Sequence, residues 1–311
     1  MAADTSNFAS VANMDGGIRA EIEQTLGSEV LEAESAAWGF KNQTWDVVLA
    51  DGSAVVVQLF RERDSAIHRI TAMRQLGALS DLPIPRVLAA NLDAPDPWAV
   101  YVRLEGQPGY ERAGWDLSDR GWVSMAGAMG AAVYRIQIIP TDRTDLPDLW
   151  SRVDDLCVAA RQWVEPLKPY LRRESSGKID RVIGSTPTVL GDFFPVVAHG
   201  DFGPQNALFV GTTLTGIVDL EDARLAHPLL DAAWWNWLVR AHTPNAFARS
   251  WRSFLQGARA DDTAPRLNDQ MQVLTVLRLL EAAESFGRIS PEKQPSWATR
   301  IEKQLEAMKS S

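Results

Sequence analysis

The sequence predicts an α+β fold with two lobes: a small antiparallel β-rich N-terminal lobe with one main helix, and a larger, mostly helical C-terminal lobe. Strand patterns and a hairpin signal dominate the first third of the chain, whereas helical patterns dominate the rest. Between them lies the stretch Glu-Gly-Gln-Pro-Gly at 105–109, whose composition is typical of a linker. We therefore expect lobes at residues 1–106 and 107–311.

The elements of the N-terminal lobe follow from local patterns. Asp51-Gly52 between two β-branched runs is typical of a hairpin turn, so the first strands should pair antiparallel. Asp64 is predicted to cap a helix that ends near Leu79. The other predicted elements are a helix at 16–26, three strands between 29 and 61, and strands at 85–90 and 98–104.

The C-terminal lobe is predicted to be helical with one β-rich insert, 195–219, which holds two short strands and their loops. The predicted helices cover 118–138, 147–170, 175–184, 228–242, 246–257, 267–286 and 296–308.

Composition limits the classes of function. Of 311 residues, 46% are hydrophobic and 23% are charged, which supplies a sizeable core and excludes a disordered chain. The single cysteine, Cys157, cannot form an internal disulfide, and no apolar run approaches the ~18 residues that span a bilayer. The net charge of −9 argues against a nucleic-acid partner. We expect a cytoplasmic protein without a membrane partner, either a monomer or a homodimer.

The β-rich insert carries polar residues at the ends of its strands. The letters HGDFGPQN at 199–206 place Asp201 and Asn206 on one loop, and Asp219 follows a later strand. Phosphoryl transfer needs this set, because a carboxylate must accept the proton of the acceptor hydroxyl and oxygen ligands must hold Mg²⁺ beside the nucleotide phosphates.

This motif resembles the signature of the aminoglycoside phosphotransferase and choline kinase-like small-molecule kinases, HGDxxxxN followed by a strand, a turn and a hydrophobic-hydrophobic-Asp. The resemblance extends from roughly Gly39 to Trp235 and implies the bilobal protein kinase-like fold. It implies that Asp201 is the catalytic base and that Asn206 and Asp219 bind Mg²⁺. The tripeptide at 201–203 also spells the metal-binding motif of protein kinases, but the position of Asn206 assigns it to the catalytic loop.

Two positions depart from the family pattern. Gln58 stands where the family has a lysine or arginine that contacts the nucleotide phosphates, and Arg69 stands where a glutamate is expected. Arg69 falls on the apolar face of its helix, where a carboxylate or a phosphate should meet its charge. Two interpretations stay open: Arg69 supplies the positive charge that Gln58 lacks, or it extends to the edge and the nucleotide binds weakly or not at all.

Further nucleotide contacts are implied by the resemblance. Asn42 belongs to the segment 38–45, which is similar to the family's phosphate-covering turn. Val100 and Val102 precede the linker, at the position where backbone groups would bind adenine.

Four residues are candidates on the acceptor side. Asp231, in a segment similar to the one that follows the family motif, would bond back to the catalytic loop or lie near the substrate. Trp235 is either core or a substrate wall, like its neighbours Trp234 and Trp237. Glu281 and Glu284 share a helix face that either binds a ligand ammonium or is simply exposed.

The leading hypothesis is therefore a Mg²⁺-requiring phosphotransferase that moves the γ-phosphate of ATP or GTP to a hydroxyl of a small molecule. An aminoglycoside or other amino alcohol is favoured as the acceptor; choline, homoserine, macrolide and sugar substrates stay open. The alternative is a pseudokinase or nucleotide-binding module without turnover, which Gln58 and Arg69 motivate.

Overall fold

The computed structural model describes residues 14–35, 42–109 and 119–308. The chain divides into two compact units, Met1–Glu105 and Gly106–Ser311, so the division falls within the stretch identified as a linker. The functional roles assigned to the two lobes stay predictions.

The N-terminal unit is built on a five-stranded antiparallel sheet with the strand order β1-β2-β3-β5-β4. Alternate residues of the central strands are buried, as in Trp45 and Val47 or Val55 and Val57, and these form the core of the unit. The elements are α1 (Gly16–Leu26), β1 (Val30–Ser35), β2 (Gln43–Leu49), β3 (Ala54–Leu59), α2 (Arg63–Leu79), β4 (Val87–Asn91) and β5 (Trp98–Val102).

The structure contains the predicted hairpin turn but not the predicted helix cap. At the hairpin between β2 and β3, Gly52 has φ +82°, and Asp51 accepts hydrogen bonds from the backbone and hydroxyl of Ser53. The cap prediction for Asp64 is wrong: Glu62 occupies the N-cap of α2 without a side-chain bond, and Asp64 lies in the first helical turn. A carboxylate there still interacts favourably with the positive end of the helix dipole.

The C-terminal unit packs its helices around the buried helix α8. Leu274, Leu277 and Leu280 of this helix are fully buried. Among the residues that the structure describes, no helix is both long and apolar enough to cross a membrane. The helices are α3 (Asp119–Gln137), α4 (Val153–Val164), α5 (Arg173–Leu190), α6 (Leu230–His242), α7 (Pro244–Gly257), α8 (Leu267–Ile289) and α9 (Gln294–Ala307).

Two small antiparallel sheets in this unit frame the motif, one ordered β6-β8-β9 and the other pairing β10 with β7. The predicted β-rich insert therefore holds more strands than the two expected. The shortest strands, β7 and β10, form because they pair with each other from distant parts of the sequence, and no local periodicity predicts them. The strands are β6 (Gln107–Pro108), β7 (Val196–Ala198), β8 (Ala207–Val210), β9 (Thr213–Ile217) and β10 (Arg224–Ala226).

Candidate active site

Asp231 of α6 fixes the loop between β7 and β8 by hydrogen bonds to its backbone. The backbone N–H groups of His199 and Gly200 donate to its two carboxylate oxygens, each at 2.9 Å. Gly200 has φ +82°, and a Cβ there would lie 2.0 Å from the carbonyl oxygen of Asp222, so this position requires glycine. With only 1% of its surface exposed, Asp231 holds the loop. Of the two roles left open for Asp231, these contacts support the bond back to the loop, and the burial of Asp231 contradicts a contact with substrate.

The carboxylate of Asp201 is oriented by two donors. Asn206 donates its Nδ2 to Oδ2 of Asp201 at 2.9 Å, and also to the backbone carbonyl of Asp201 at 2.9 Å. The indole Nε1 of Trp234 donates to Oδ1 at 2.5 Å. Because the nitrogen of Asn206 makes both of its bonds to Asp201, the amide oxygen is the atom of Asn206 that could bind a metal.

Backbone bonds bring Asp219 to the same place. The N–H of Val218 donates to the carbonyl of Asn206 at 3.0 Å, and the carbonyl of Val218 lies 2.9 Å from Nε2 of His199. The next residue, Asp219, adopts the left-handed conformation with φ 65°, which aspartate tolerates better than most residues. The structure thus brings together Asp201, Asn206 and Asp219, the three residues that the motif singled out.

The electrostatics of this cluster favour a cation. The pKa of Asp201 is raised to about 6, chiefly by desolvation; the charge of Arg278 opposes this rise, and the charges of Asp222 and Asp219 contribute to it. No group of three or more His, Cys, Asp or Glu side chains suited to a metal occurs in the described part of the chain. One carboxylate and one amide oxygen fit Mg²⁺, because this ion commonly takes few protein ligands and completes its shell with water and phosphate oxygens.

A closed ring of ion pairs lies beside the loop that carries Asp201. Arg224 and Arg278 each contact Asp222, at 2.8 and 2.7 Å. Both arginines also contact Glu281, at 2.6 and 3.0 Å, and the indole N–H of Trp150 donates to the same carboxylate at 3.0 Å. The carboxylate of Glu281 is therefore committed to protein partners.

For Glu284 and Trp235, the sequence left two roles open. Glu284 pairs with Arg288 one turn along α8, at 3.3 Å. Both glutamates thus have arginine partners within the protein, which does not favour the alternative that they bind a ligand ammonium. Trp235 is 1% exposed, donates to the sulfur of Met129 and stacks on Phe254 with ring centroids 4.3 Å apart. It belongs to the core and cannot form a substrate wall.

In the N-terminal unit, Gln58 and Arg69 contact each other directly. Nη1 of Arg69 donates to Oε1 of Gln58 at 2.7 Å, and the hydroxyl of Tyr101 donates to the same oxygen at 3.2 Å. The guanidinium carbon of Arg69 also lies 5.8 Å from the ring centroid of Phe60. Arg69 is 8% exposed, which contradicts the interpretation that it extends to the edge. The expected carboxylate or phosphate is replaced, in these contacts, by an amide oxygen.

The remaining nucleotide candidates are placed as follows. Asn42 accepts from the backbone N–H of Arg61 at 3.3 Å, and residues 38–41 of its turn lie outside the described residues. Val100 pairs with both neighbouring strands, and Val102 donates its N–H to the carbonyl of Arg86 at 2.9 Å. The strands on either side therefore engage the backbone of Val100 and the N–H of Val102. The adenine role of Val100 and Val102 stays a prediction.

Sequence reasoning left Trp234 open between the core and a substrate wall, and it missed the bond of Trp234 to Asp201. Three tryptophans occur within four positions of α6, and nothing in the sequence tells which of them reaches Asp201. Arg278 was missed for a similar reason, because it lies 77 residues beyond Asp201 on a helix that reads as core.

Residues 32–267 match the phosphotransferase enzyme family, which is more than half of the chain. The chain belongs to this family. It is a small-molecule kinase, as the motif implied. No curated protein sequence matches the chain.

Solved structures of phosphotransferases share the fold of this family member. The GDP and kanamycin complex of APH(2")-IIia has a TM-score of 0.71 at 17% identity, covering 94% of this chain and 98% of that chain. The apoenzyme of macrolide 2'-phosphotransferase MphH from Brachybacterium faecium has a TM-score of 0.67 at 14% identity, covering 90% and 95%. Aminoglycoside phosphotransferase APH(4)-Ia has a TM-score of 0.69 at 14% identity, covering 93% and 97%. The predicted α+β protein kinase-like fold is thus confirmed.

Proposed function

We propose that this phosphotransferase moves the γ-phosphate of ATP or GTP to a hydroxyl of a small molecule, with Asp201 as the catalytic base. The observation that carries the proposal is the carboxylate of Asp201, fixed by Asn206 on a loop whose backbone is bonded to the residue before Asp219. A carboxylate in this setting accepts the proton of the acceptor hydroxyl while the oxygen of that hydroxyl bonds to the γ-phosphorus. The bond from that phosphorus to the bridging oxygen breaks, and the nucleoside diphosphate leaves.

Asp219 and the amide oxygen of Asn206 would hold Mg²⁺, which supplies positive charge to the nucleotide phosphates when bound. The side chain of Asn206 then has two tasks, because its nitrogen orients Asp201 while its oxygen faces the ion. The bond between the backbones of Asn206 and Val218 keeps the two ligands adjacent.

In the N-terminal unit, Arg69 is the cation that we assign to the phosphates. Gln58 accepts a hydrogen bond from it, so strand and helix exchange the donor and acceptor roles that the family pattern gives them. A guanidinium is always charged, and its planar donors match the geometry of phosphate oxygens. An Arg69→Met variant should raise the KM for nucleotide at least about tenfold, because it removes a charge-assisted contact.

Aminoglycosides and macrolides are the first acceptors to test, since proteins of the same fold carry those names. The chain is incubated with Mg²⁺ and either ATP or GTP against panels of aminoglycosides, amino alcohols, macrolides and sugars, with phosphorylated product detected by mass spectrometry. Asp201→Asn should abolish product, whereas Asp142→Asn, an exposed acid of the same unit, should not. Product formed equally by both variants would refute the assignment of Asp201.

The substitution of Gln58 for a cation favours one alternative, a nucleotide-binding module without turnover. Under that alternative, Mg²⁺ and nucleotide together raise the unfolding temperature of the wild-type chain. Neither product nor slow nucleotide hydrolysis would then be detected with any panel.

A further inference from the structure

Trp234 donates a hydrogen bond to Oδ1 of Asp201, the carboxylate oxygen that Asn206 does not contact. Its indole N–H lies 2.5 Å from Oδ1, while Asn206 bonds Oδ2 at 2.9 Å. The side chain of Trp234 enters from α6, one turn beyond Asp231, and only 4% of the residue is exposed. With one donor on each oxygen, the plane of the carboxylate is fixed.

Arg278 supports this arrangement from α8 through two contacts. Its Nε donates to the backbone carbonyl of Gly200 at 2.9 Å, immediately before Asp201. Its guanidinium carbon lies 5.1 Å from the ring centroid of Trp234, a cation–π distance. One arginine thus contacts both the backbone beside Asp201 and the ring that orients it.

The charges explain why an indole suits this position. Arg278 directs its other nitrogens to Asp222 and Glu281, at 2.7 and 3.0 Å. An arginine bonded directly to Asp201 would form an ion pair and hold the proton-accepting oxygen in a strong charge-assisted bond. The indole is a neutral donor and bonds one lone pair only, so each oxygen of Asp201 keeps further acceptor capacity for an incoming hydroxyl.

We propose that Trp234 is a positioning residue that fixes the carboxylate of Asp201, and that Arg278 holds Trp234 and the catalytic loop in register. The proposal rests on the assignment of Asp201 as the catalytic base. It adds two residues that the motif does not contain, and it explains why a late helix bonds to the backbone of the loop.

The kinetic test compares Trp234→Phe with Trp237→Phe. Phenylalanine keeps a ring but removes the N–H, and Trp237 stacks on Trp234 with centroids 4.8 Å apart, so its replacement perturbs the same packing. With water as the acceptor, the rate of Mg²⁺-dependent nucleotide hydrolysis is measured. Trp234→Phe should lower kcat about 10- to 100-fold with the KM for nucleotide within twofold of wild type, because a misplaced base slows only the chemical step. Trp237→Phe should leave both parameters within twofold.

The Arg278→Lys variant tests, in the same assay, whether Arg278 supports Trp234 and the loop. Lysine keeps the positive charge but lacks the planar guanidinium that makes these contacts. The variant should lower kcat at least fivefold, whereas Arg288→Lys, two turns or more along the same helix, should not change it. Equal kcat values for the Trp234 and Trp237 variants, or a loss of kcat accompanied by an equal loss of nucleotide affinity, would overturn the proposal.

A second measurement needs no activity. The unfolding temperatures of Trp234→Phe, Asp201→Ala and the double variant form a cycle, in which the shifts should not add, because both changes remove the same hydrogen bond. The shifts of Trp251→Phe and Asp201→Ala should add. Additive shifts in the first cycle would overturn the proposal. A wild-type chain that neither hydrolyses nucleotide nor transfers phosphate would instead contradict the proposed function, while the cycle still tests the bond.

Discussion

His227, at the turn into α6, illustrates how burial sets the charge of a single residue. Its Nδ1 accepts from the backbone N–H of Leu229 at 3.1 Å, and its ring packs edge-on against Phe193 with centroids 4.5 Å apart. Burial lowers the pKa of His227 to about 4. Because the unfolded chain binds this proton near pH 6.5, the free energy of unfolding should fall as the pH drops from about 6.5 towards 4.

The His227→Asn variant isolates this contribution. Asparagine keeps an acceptor near the position of Nδ1 but does not titrate, so between pH 7 and 5 the wild type should lose about 2 kcal/mol more than the variant. Urea unfolding at several pH values measures both slopes. Parallel slopes would mean that His227 binds its proton equally well in the folded and the unfolded chain, which contradicts the prediction.

For single residues, the roles that depend on local spacing could be predicted from the sequence. The roles that depend on packing between distant elements could not. Asp201, Asn206 and Asp219 sit within one β-rich segment, so their proximity could be predicted from strand ends. Glu281 reads as a helix-face acid, yet Arg224, from a strand 57 residues earlier, turns it into an ion-pair partner. No local pattern carries that information.

At the scale of elements, α3 and α7 approach each other through glycines. A Cβ on Gly130 would lie 2.0 Å from the carbonyl oxygen of Phe254, and one on Gly257 would lie 2.2 Å from the carbonyl oxygen of Gly127. Gly130→Ala should therefore lower the free energy of unfolding by about 1–3 kcal/mol or more, because the helices must separate. Gly184→Ala on α5, where nothing lies within 4 Å, should raise it by about 0.5–1 kcal/mol. Thermal or urea unfolding of the two variants checks the contrast; a neutral Gly130→Ala would show that α7 can shift freely.

Most of the predicted helices have nearly the observed bounds, whereas one long helix and the shortest strands differ from the prediction. The helix predicted at 16–26 is α1 with the same bounds, and the helix predicted at 267–286 is α8 extended by three residues. The helix predicted over 147–170 is instead α4 followed by a 3₁₀ segment, Glu165–Tyr170, which contains Pro169. Strands of three residues, such as β7 and β10, exist because they pair with each other, and such pairing is not encoded locally.

At the scale of the whole molecule, each unit has a core of its own. The buried cluster of the N-terminal unit is drawn from α1 and the sheet strands, and that of the C-terminal unit centres on α8. Within the described ranges of the chain, the hydrogen bonds that orient Asp201 and its loop come from residues of the C-terminal unit. The geometry of the proposed base is thus built within one unit, whereas the proposed phosphate contact of Arg69 belongs to the other.

Residues 106–311 should therefore fold when expressed without the rest of the chain. A unit with its own buried core can fold alone, so we expect a helical circular dichroism spectrum and one cooperative thermal transition. Within this fragment Leu277→Ala should lower the free energy of unfolding by about 2–5 kcal/mol, since Leu277 is fully buried in the core. An exposed position such as Val158→Ala should change it far less. A broad, non-cooperative transition, or equal effects of the two substitutions, would show that the core of this unit forms only in the full chain.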